Sequence, residues 1–114
     1  MLDKEAFLNA ALEAAAKPEM VASTLFSLRA TSLLHGTSSE TNAARLSGLL
    51  IGQEIGIARS YWDGNPVVLI GATEITQLYA EALQALNINS TIINAAKATI
   101  KGLFIAATQH RELN

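Results

Sequence analysis

Residues 66–86, PVVLIGATEITQLYAEALQAL, join a short apolar strand to an amphipathic helix through a turn at Gly71-Ala72-Thr73. Before this stretch every periodic segment is helical. After it come one more apolar strand near 90–93 and one more helix near 95–111. The chain therefore carries a single strand-helix-strand unit, whose second strand should lie parallel to the first. The run Val67-Val68-Leu69-Ile70 has no polar alternation, which predicts a strand covered on both faces.

The upstream helices are marked by their ends. Asp3 is placed to cap a helix over 4–16, and Lys17-Pro18 ends it. Pro18 suits the first turn of a second helix running to about residue 34, with His35 near its carboxyl end and Gly36 as a left-handed stop. Thr37-Ser38-Ser39-Glu40 fits a capping box with Thr37 as the cap, opening a long third helix that runs to about Trp62.

Along that third helix Ala44, Gly48, Gly52, Gly56 and Ser60 recur every fourth residue, so one face is almost bare of side chains. Three interior glycines cost a helix roughly 3 kcal/mol relative to alanine. Close packing on another backbone would offset this, and so would a ligand ring lying against the bare face. Gln53 and Glu54 stand beside the row and need polar partners if buried.

The totals narrow the function classes. At 114 residues the chain is one domain, and with half its residues hydrophobic it is apolar for its size, which predicts that part of its surface meets another body. A two-stranded parallel sheet is poor as an independent fold and points the same way. A net charge of -2 offers no footprint for nucleic acid. There is no cysteine, and His35 and His110 are too far apart in sequence to read as a metal pair, so no metal ligands are assigned. The amino terminus lacks a basic region followed by an apolar run, and segment 46–58 is too short to span a membrane. A cytoplasmic protein with no membrane partner is the expectation.

Ligands of open parallel sheets bind beyond the carboxyl ends of the strands, which makes Gly71, Ala72, Thr73 and Glu74 the candidate site. Thr73 would also serve as N-cap of the helix starting at Glu74. Neither G-x-G-x-x-G nor a Walker loop is present. Glu74 would satisfy the helix dipole itself and repel a phosphate, while accepting hydrogen bonds from hydroxyls. A ribose or an adenine edge suits this turn better than a triphosphate.

Three strings carry a resemblance. Leu25-Phe26-Ser27-Leu28-Arg29-Ala30, the run RLSGLLIGQE over 45–54, and Val68-Leu69-Ile70-Gly71 resemble, in order and spacing, the C-terminal part of 2-keto-3-deoxygalactonate kinases. That family is similar to the sugar kinase, hsp70 and actin superfamily, in which two lobes clasp ATP and Mg²⁺. The resemblance implies an α/β, helix-rich C-terminal lobe fragment of an actin-like ATPase fold over 1–114, with about five helices and one parallel strand-helix-strand unit. It implies an ATP-dependent sugar-acid kinase that phosphorylates 2-dehydro-3-deoxy-D-galactonate at the 6-hydroxyl in galactonate catabolism.

In the superfamily a glycine turn of this kind packs on adenosine, which assigns nucleotide binding to Gly71, Ala72, Thr73 and Glu74; Ala72 stands where a second glycine is common. The small residues of 95–106 resemble the helix that meets the other lobe. The superfamily's phosphate loop and catalytic aspartate have no counterpart in these residues, so no catalytic residue is assigned, Mg²⁺ would be held mainly by the N-terminal part, and the isolated chain is expected to be inactive. Arg29 and Arg45, the two cations of the motifs, are read as structural or inter-subunit ion-pairing groups. A homo-oligomer is expected, and the alternative reading is a non-catalytic α/β module that dimerises through its apolar faces.

Overall fold

The computed structural model describes residues 2–36 and 38–113. Helix α1 (Lys4–Ala16) leads through a 3₁₀ turn (Pro18–Met20) into α2 (Val21–His35); α3 (Ser39–Ile57) and the short α4 (Arg59–Trp62) complete the helical part. Strand β1 (Val67–Gly71), helix α5 (Thr73–Ala85) and strand β2 (Ser90–Asn94) form the strand-helix-strand unit, and α6 (Ala95–Leu113) follows. The two strands pair in parallel, with Val67 opposite Ser90 and Gly71 opposite Asn94.

The core is the contact between α1 and α3. Phe7 is wholly buried, and Ala10, Ala11, Ala14 and Ala15 of α1 are buried beside it against Ala44, Gly48, Leu49, Ile51 and Gly52 of α3. The glycine row is what lets the two backbones approach. A Cβ at Gly48 would stand 2.9 Å from the Ala10 methyl and press on the Phe7 carbonyl; at Gly52 it would stand 2.8 Å from Ala11 Cα; at Gly56 it would meet the Ala15 carbonyl at 2.6 Å and Pro18 Cγ at 2.5 Å. Of the two uses open to a bare helix face, the row is filled by α1 and offers no surface to a ligand. Small residues on both helices bring many atoms to van der Waals distance, which offsets the helix-propensity loss.

Local signals explain most boundaries. The Asp3 carboxylate accepts from Ala6 N at 3.1 Å and from the Thr41 hydroxyl at 3.1 Å, capping α1 and tying it to α3. Gly36 takes its left-handed conformation at φ 63°. Asn87, also at φ 63°, closes α5 with its N–H on Gln84 O. Two expectations change. The cap of α3 is Ser38, whose hydroxyl oxygen accepts from Thr41 N at 3.2 Å; Thr37, expected in that role, lies outside the described residues. The third helix does not run unbroken to Trp62. The carbonyl of Ile55, which would accept from residue 59 in a continuous helix, takes the Trp62 indole N–H at 2.7 Å instead, and the chain bends at Ala58. Ser60 therefore falls outside the row and is exposed.

The sheet is covered on one face. Along β1, Val67 and Leu69 turn inward against Leu83, Ile51 and their neighbours, whereas Val68 and Ile70 are exposed, Ile70 by 61%. The expectation of a strand covered on both faces is not met within the described residues. Helix α6 meets the body chiefly at β1 and β2, leaving Ile100, Leu103 and Phe104 in solvent. The radius of gyration is 18.0 Å, against about 13 Å for a compact domain of this length. No helix among the described residues is long and apolar enough to cross a membrane.

Candidate functional site

The four site residues fall together where the sheet ends. Gly71 is the last residue of β1 and half-buried; Ala72 is the extended link; Thr73 and Glu74 open α5, and all three are exposed. Helix α5 starts one residue earlier than the sequence suggests, with Ala72 in the cap position and no side-chain cap bond, so Thr73 is not the N-cap. The Thr73 hydroxyl instead accepts from the Asn94 amide at 3.4 Å. Inside the turn the Thr76 hydroxyl, which sequence reasoning overlooked, donates to the carbonyls of Ala72 at 3.0 Å and Thr73 at 3.1 Å. Thr76 is buried, and its methyl lies 3.2 Å from where a Gly71 Cβ would be.

Asn94 is the second residue that sequence reasoning missed. The parallel register sets it opposite Gly71, so the two strand ends form one ledge. Its side-chain oxygen accepts from Ala96 N at 2.8 Å, which fixes the amide so that its NH₂ points at Thr73. The signal was available: two strands of five residues in parallel register must bring their last residues side by side. The ledge thus offers backbone donors of the α5 amino terminus, a hydroxyl, an amide and the Glu74 carboxylate. That set can hydrogen-bond the hydroxyls and ring edge of a nucleoside, and its single carboxylate disfavours a phosphate.

Behind the ledge, Tyr79 of α5 donates its phenolic hydrogen to the Glu54 carboxylate of α3. Gln53 reaches Pro18 O at 3.4 Å, so both polar residues beside the glycine row find partners. Burial, reinforced by the hydrogen bond to Glu54 and its charge, pushes the Tyr79 phenol up to about 12 from 10.0. Because the folded chain holds this proton more tightly than the unfolded one, the contribution of Tyr79 to stability is fully present below pH 10 and is lost as pH rises from 10 towards 12. Tyr79→Phe should remove that part of the alkaline loss, seen as a shallower decline in urea midpoint over this window; an unchanged decline would exclude Tyr79 as its source.

Arg29 is exposed and Arg45 half-buried, and among the described residues neither forms an ion pair within the chain; the one such pair is Lys4 with Glu81, at 2.9 Å. The side chains of His35 and His110 lie outside the described residues. Among the described residues no three His, Cys, Asp or Glu side chains gather as metal ligands would.

Comparison with known proteins places this architecture. A family model described as 2-keto-3-deoxy-galactonokinase matches residues 1–106. A protein of Rhizobium meliloti (strain 1021) named "Probable 2-dehydro-3-deoxygalactonokinase DgoK1" is 37% identical over 103 residues, which cover 90% of this chain and 34% of that protein. A crystal structure of a protein given the same enzyme name, from Sinorhizobium meliloti, superposes with a TM-score of 0.80 at 38% identity, again over 90% of this chain and 34% of the other. The chain thus spans about a third of the length of these relatives. With the match running from the first residue through α1, the glycine row, the ledge and into α6, the chain belongs to the 2-keto-3-deoxy-galactonokinase family.

Proposed function

We propose that this chain is the adenosine-side lobe of an ATP-dependent kinase that phosphorylates 2-dehydro-3-deoxy-D-galactonate at its 6-hydroxyl. Family membership over residues 1–106 is the observation that carries this reading. The names of the relatives supply the substrate, and the ledge at Gly71, Ala72, Thr73 and Glu74 supplies the place for the nucleoside. In this reading residues 1–114 form a single C-terminal lobe of a cytoplasmic enzyme that works as a homo-oligomer.

The ledge fits one part of ATP and not the rest. Gly71 leaves space beside the Thr76 methyl, and Asn94, Thr73 and Glu74 provide the donor and acceptors that ribose hydroxyls and an adenine edge need. Mg²⁺ does not fit here, since Glu74 is the lone carboxylate of the ledge; the cation and the phosphates would be held by other parts of the enzyme. ATP, when bound, supplies the phosphoryl group. What these residues do is hold and orient the nucleoside, a positioning role on which phosphoryl transfer depends heavily.

Arg29 and Arg45 remain unpaired cations within the described chain and are read as pairing with another part of the enzyme or another subunit. Phosphoryl transfer also needs phosphate-loop donors, a metal and a base, and no phosphate-loop pattern occurs in these 114 residues. The purified chain should therefore release no ADP above background from ATP and 2-dehydro-3-deoxy-D-galactonate. Sugar-acid-dependent turnover by the 114-residue chain, measured in a coupled assay, would overturn the assignment of a partial lobe.

A further inference from the structure

We propose that Glu54 and Tyr79 are positioning residues: their hydrogen bond fixes the end of α5 that carries the ledge, and so sets Thr73 and Glu74 against Asn94. The inference rests on the nucleoside reading of that ledge only for its effect on binding. The two side chains come from positions 25 residues apart in sequence. Glu54 stands on α3 between Gly52 and Gly56, where an added Cβ would strike the backbone of Ala11 and Ala15. The stretch of α3 that presents the carboxylate is therefore held tightly on α1, and close-packed contacts of this kind give it little room to shift.

The two ends of α5 are held differently. Toward its carboxyl end Ala82 and Leu83 are buried in the core, and Glu81 pairs with Lys4 of α1 at 2.9 Å. Over residues 73–77 only Thr76 is buried, and its hydroxyl is committed to the carbonyls of Ala72 and Thr73. Thr73 itself has the Asn94 amide at 3.4 Å, beyond the usual range of a strong hydrogen bond. Tyr79 stands about 9 Å along the helix axis from Thr73. Among the described residues its bond to Glu54 is the one side-chain hydrogen bond that joins α5 to α3. A carboxylate acceptor makes such a bond about twice as strong as one between neutral groups. Without it α5 can pivot about Ala82 and Leu83, and a pivot there displaces the amino end most. The Tyr79 ring packs on the core cluster, so loss of the hydroxyl alone leaves that packing in place and removes only the tether.

NMR of the 114-residue chain tests this first without any ligand. In Tyr79→Phe and in Glu54→Ala the amides of Thr76 and Gln77 should exchange about tenfold faster, with those of Ala82 and Leu83 unchanged. Glu54→Gln, whose amide oxygen still accepts from the phenol, should stay within about twofold of the parent. Adenosine should then bind about fivefold more weakly to Tyr79→Phe and to Glu54→Ala, and the double variant should be no weaker than either, as for two groups that act through one bond. Unchanged exchange at Thr76 and Gln77 in Tyr79→Phe would overturn the proposal. Faster exchange with undiminished adenosine affinity would overturn it too, leaving the bond a structural role alone. A parent chain that binds no adenosine would instead refute the nucleoside reading, while the exchange rates still decide whether Glu54 and Tyr79 fix this end of α5.

Discussion

Gly52→Ala should destabilise the chain by about 2–4 kcal/mol, even though alanine is the better helix former by about 1 kcal/mol. The added methyl would meet only backbone, with Ala11 Cα at 2.8 Å and Ala11 C at 2.9 Å, and backbone cannot step aside as a side-chain tip can. The two helices would have to separate along their whole contact, uncovering Phe7 and the alanines of α1. Gly102→Ala in α6 is the matched control, since nothing lies within 4 Å of a Cβ there. It should stabilise α6 by about 0.5–1 kcal/mol. Urea midpoints moving in opposite directions for these two identical substitutions would establish close backbone approach as the role of the row. A neutral or stabilising Gly52→Ala would refute it.

Phe7→Ala should cost about 3–5 kcal/mol. Phe7 is fully buried and sits where α1 meets α3, touching the cluster that includes Ile51, Ile55 and Leu83. Truncation would leave a cavity in the cluster that holds α1, α3 and α5 together, with the Ala11 and Ala44 methyls too short to fill it. Against a total stability of roughly 5–15 kcal/mol for a domain, this leaves a substantial unfolded fraction. Phe26 provides the contrast, being 77% exposed on α2, and Phe26→Ala should stay within about 0.5 kcal/mol of the parent. Thermal unfolding followed by circular dichroism reads both, and equal shifts for the two would contradict the core described here.

Much of this architecture is legible in the sequence because its signals are local. Asp3 and Asn87 act through hydrogen bonds to near neighbours, Pro18 opens the 3₁₀ turn and Gly36 takes a positive φ, each as its residue type predicts. The placement of Gly71 to Glu74 at the end of a strand follows from the same kind of local pattern. What the sequence hides depends on distant residues. The bend at Ala58 arises because Trp62 takes a carbonyl of the preceding helix, and no periodicity encodes that. Helix α5 opens after Ala72, and the Thr73 hydroxyl meets the amide of Asn94 on the other strand, a contact between residues distant in sequence. The bare face of β1 is the most informative departure: an apolar run describes the surroundings a strand is made for, and the 114 residues supply only one side of them.

The relatives are longer, this chain spanning 34% of each, and in the proposed reading further chain of the enzyme covers that apolar surface. In the same reading an isolated copy is expected to self-associate through this surface. Two properties of the chain are separate: the glycine row and Phe7 hold α1 on α3, while the ledge beyond β1 is where the proposed reading puts the nucleoside.

The nucleoside ledge is the central functional claim, and an NMR titration of the 114-residue chain tests it most directly. Adenosine and ATP should both shift the amide resonances of Gly71, Ala72, Thr73 and Glu74 and the side-chain amide of Asn94, while inorganic tripolyphosphate should leave them in place. Gly71→Val, whose new side chain would crowd the Thr76 methyl at 3.2 Å, should weaken the adenosine response about tenfold or more without loss of fold. Shifts produced by tripolyphosphate alone, or an adenosine response that spares the ledge and survives Gly71→Val, would contradict the account.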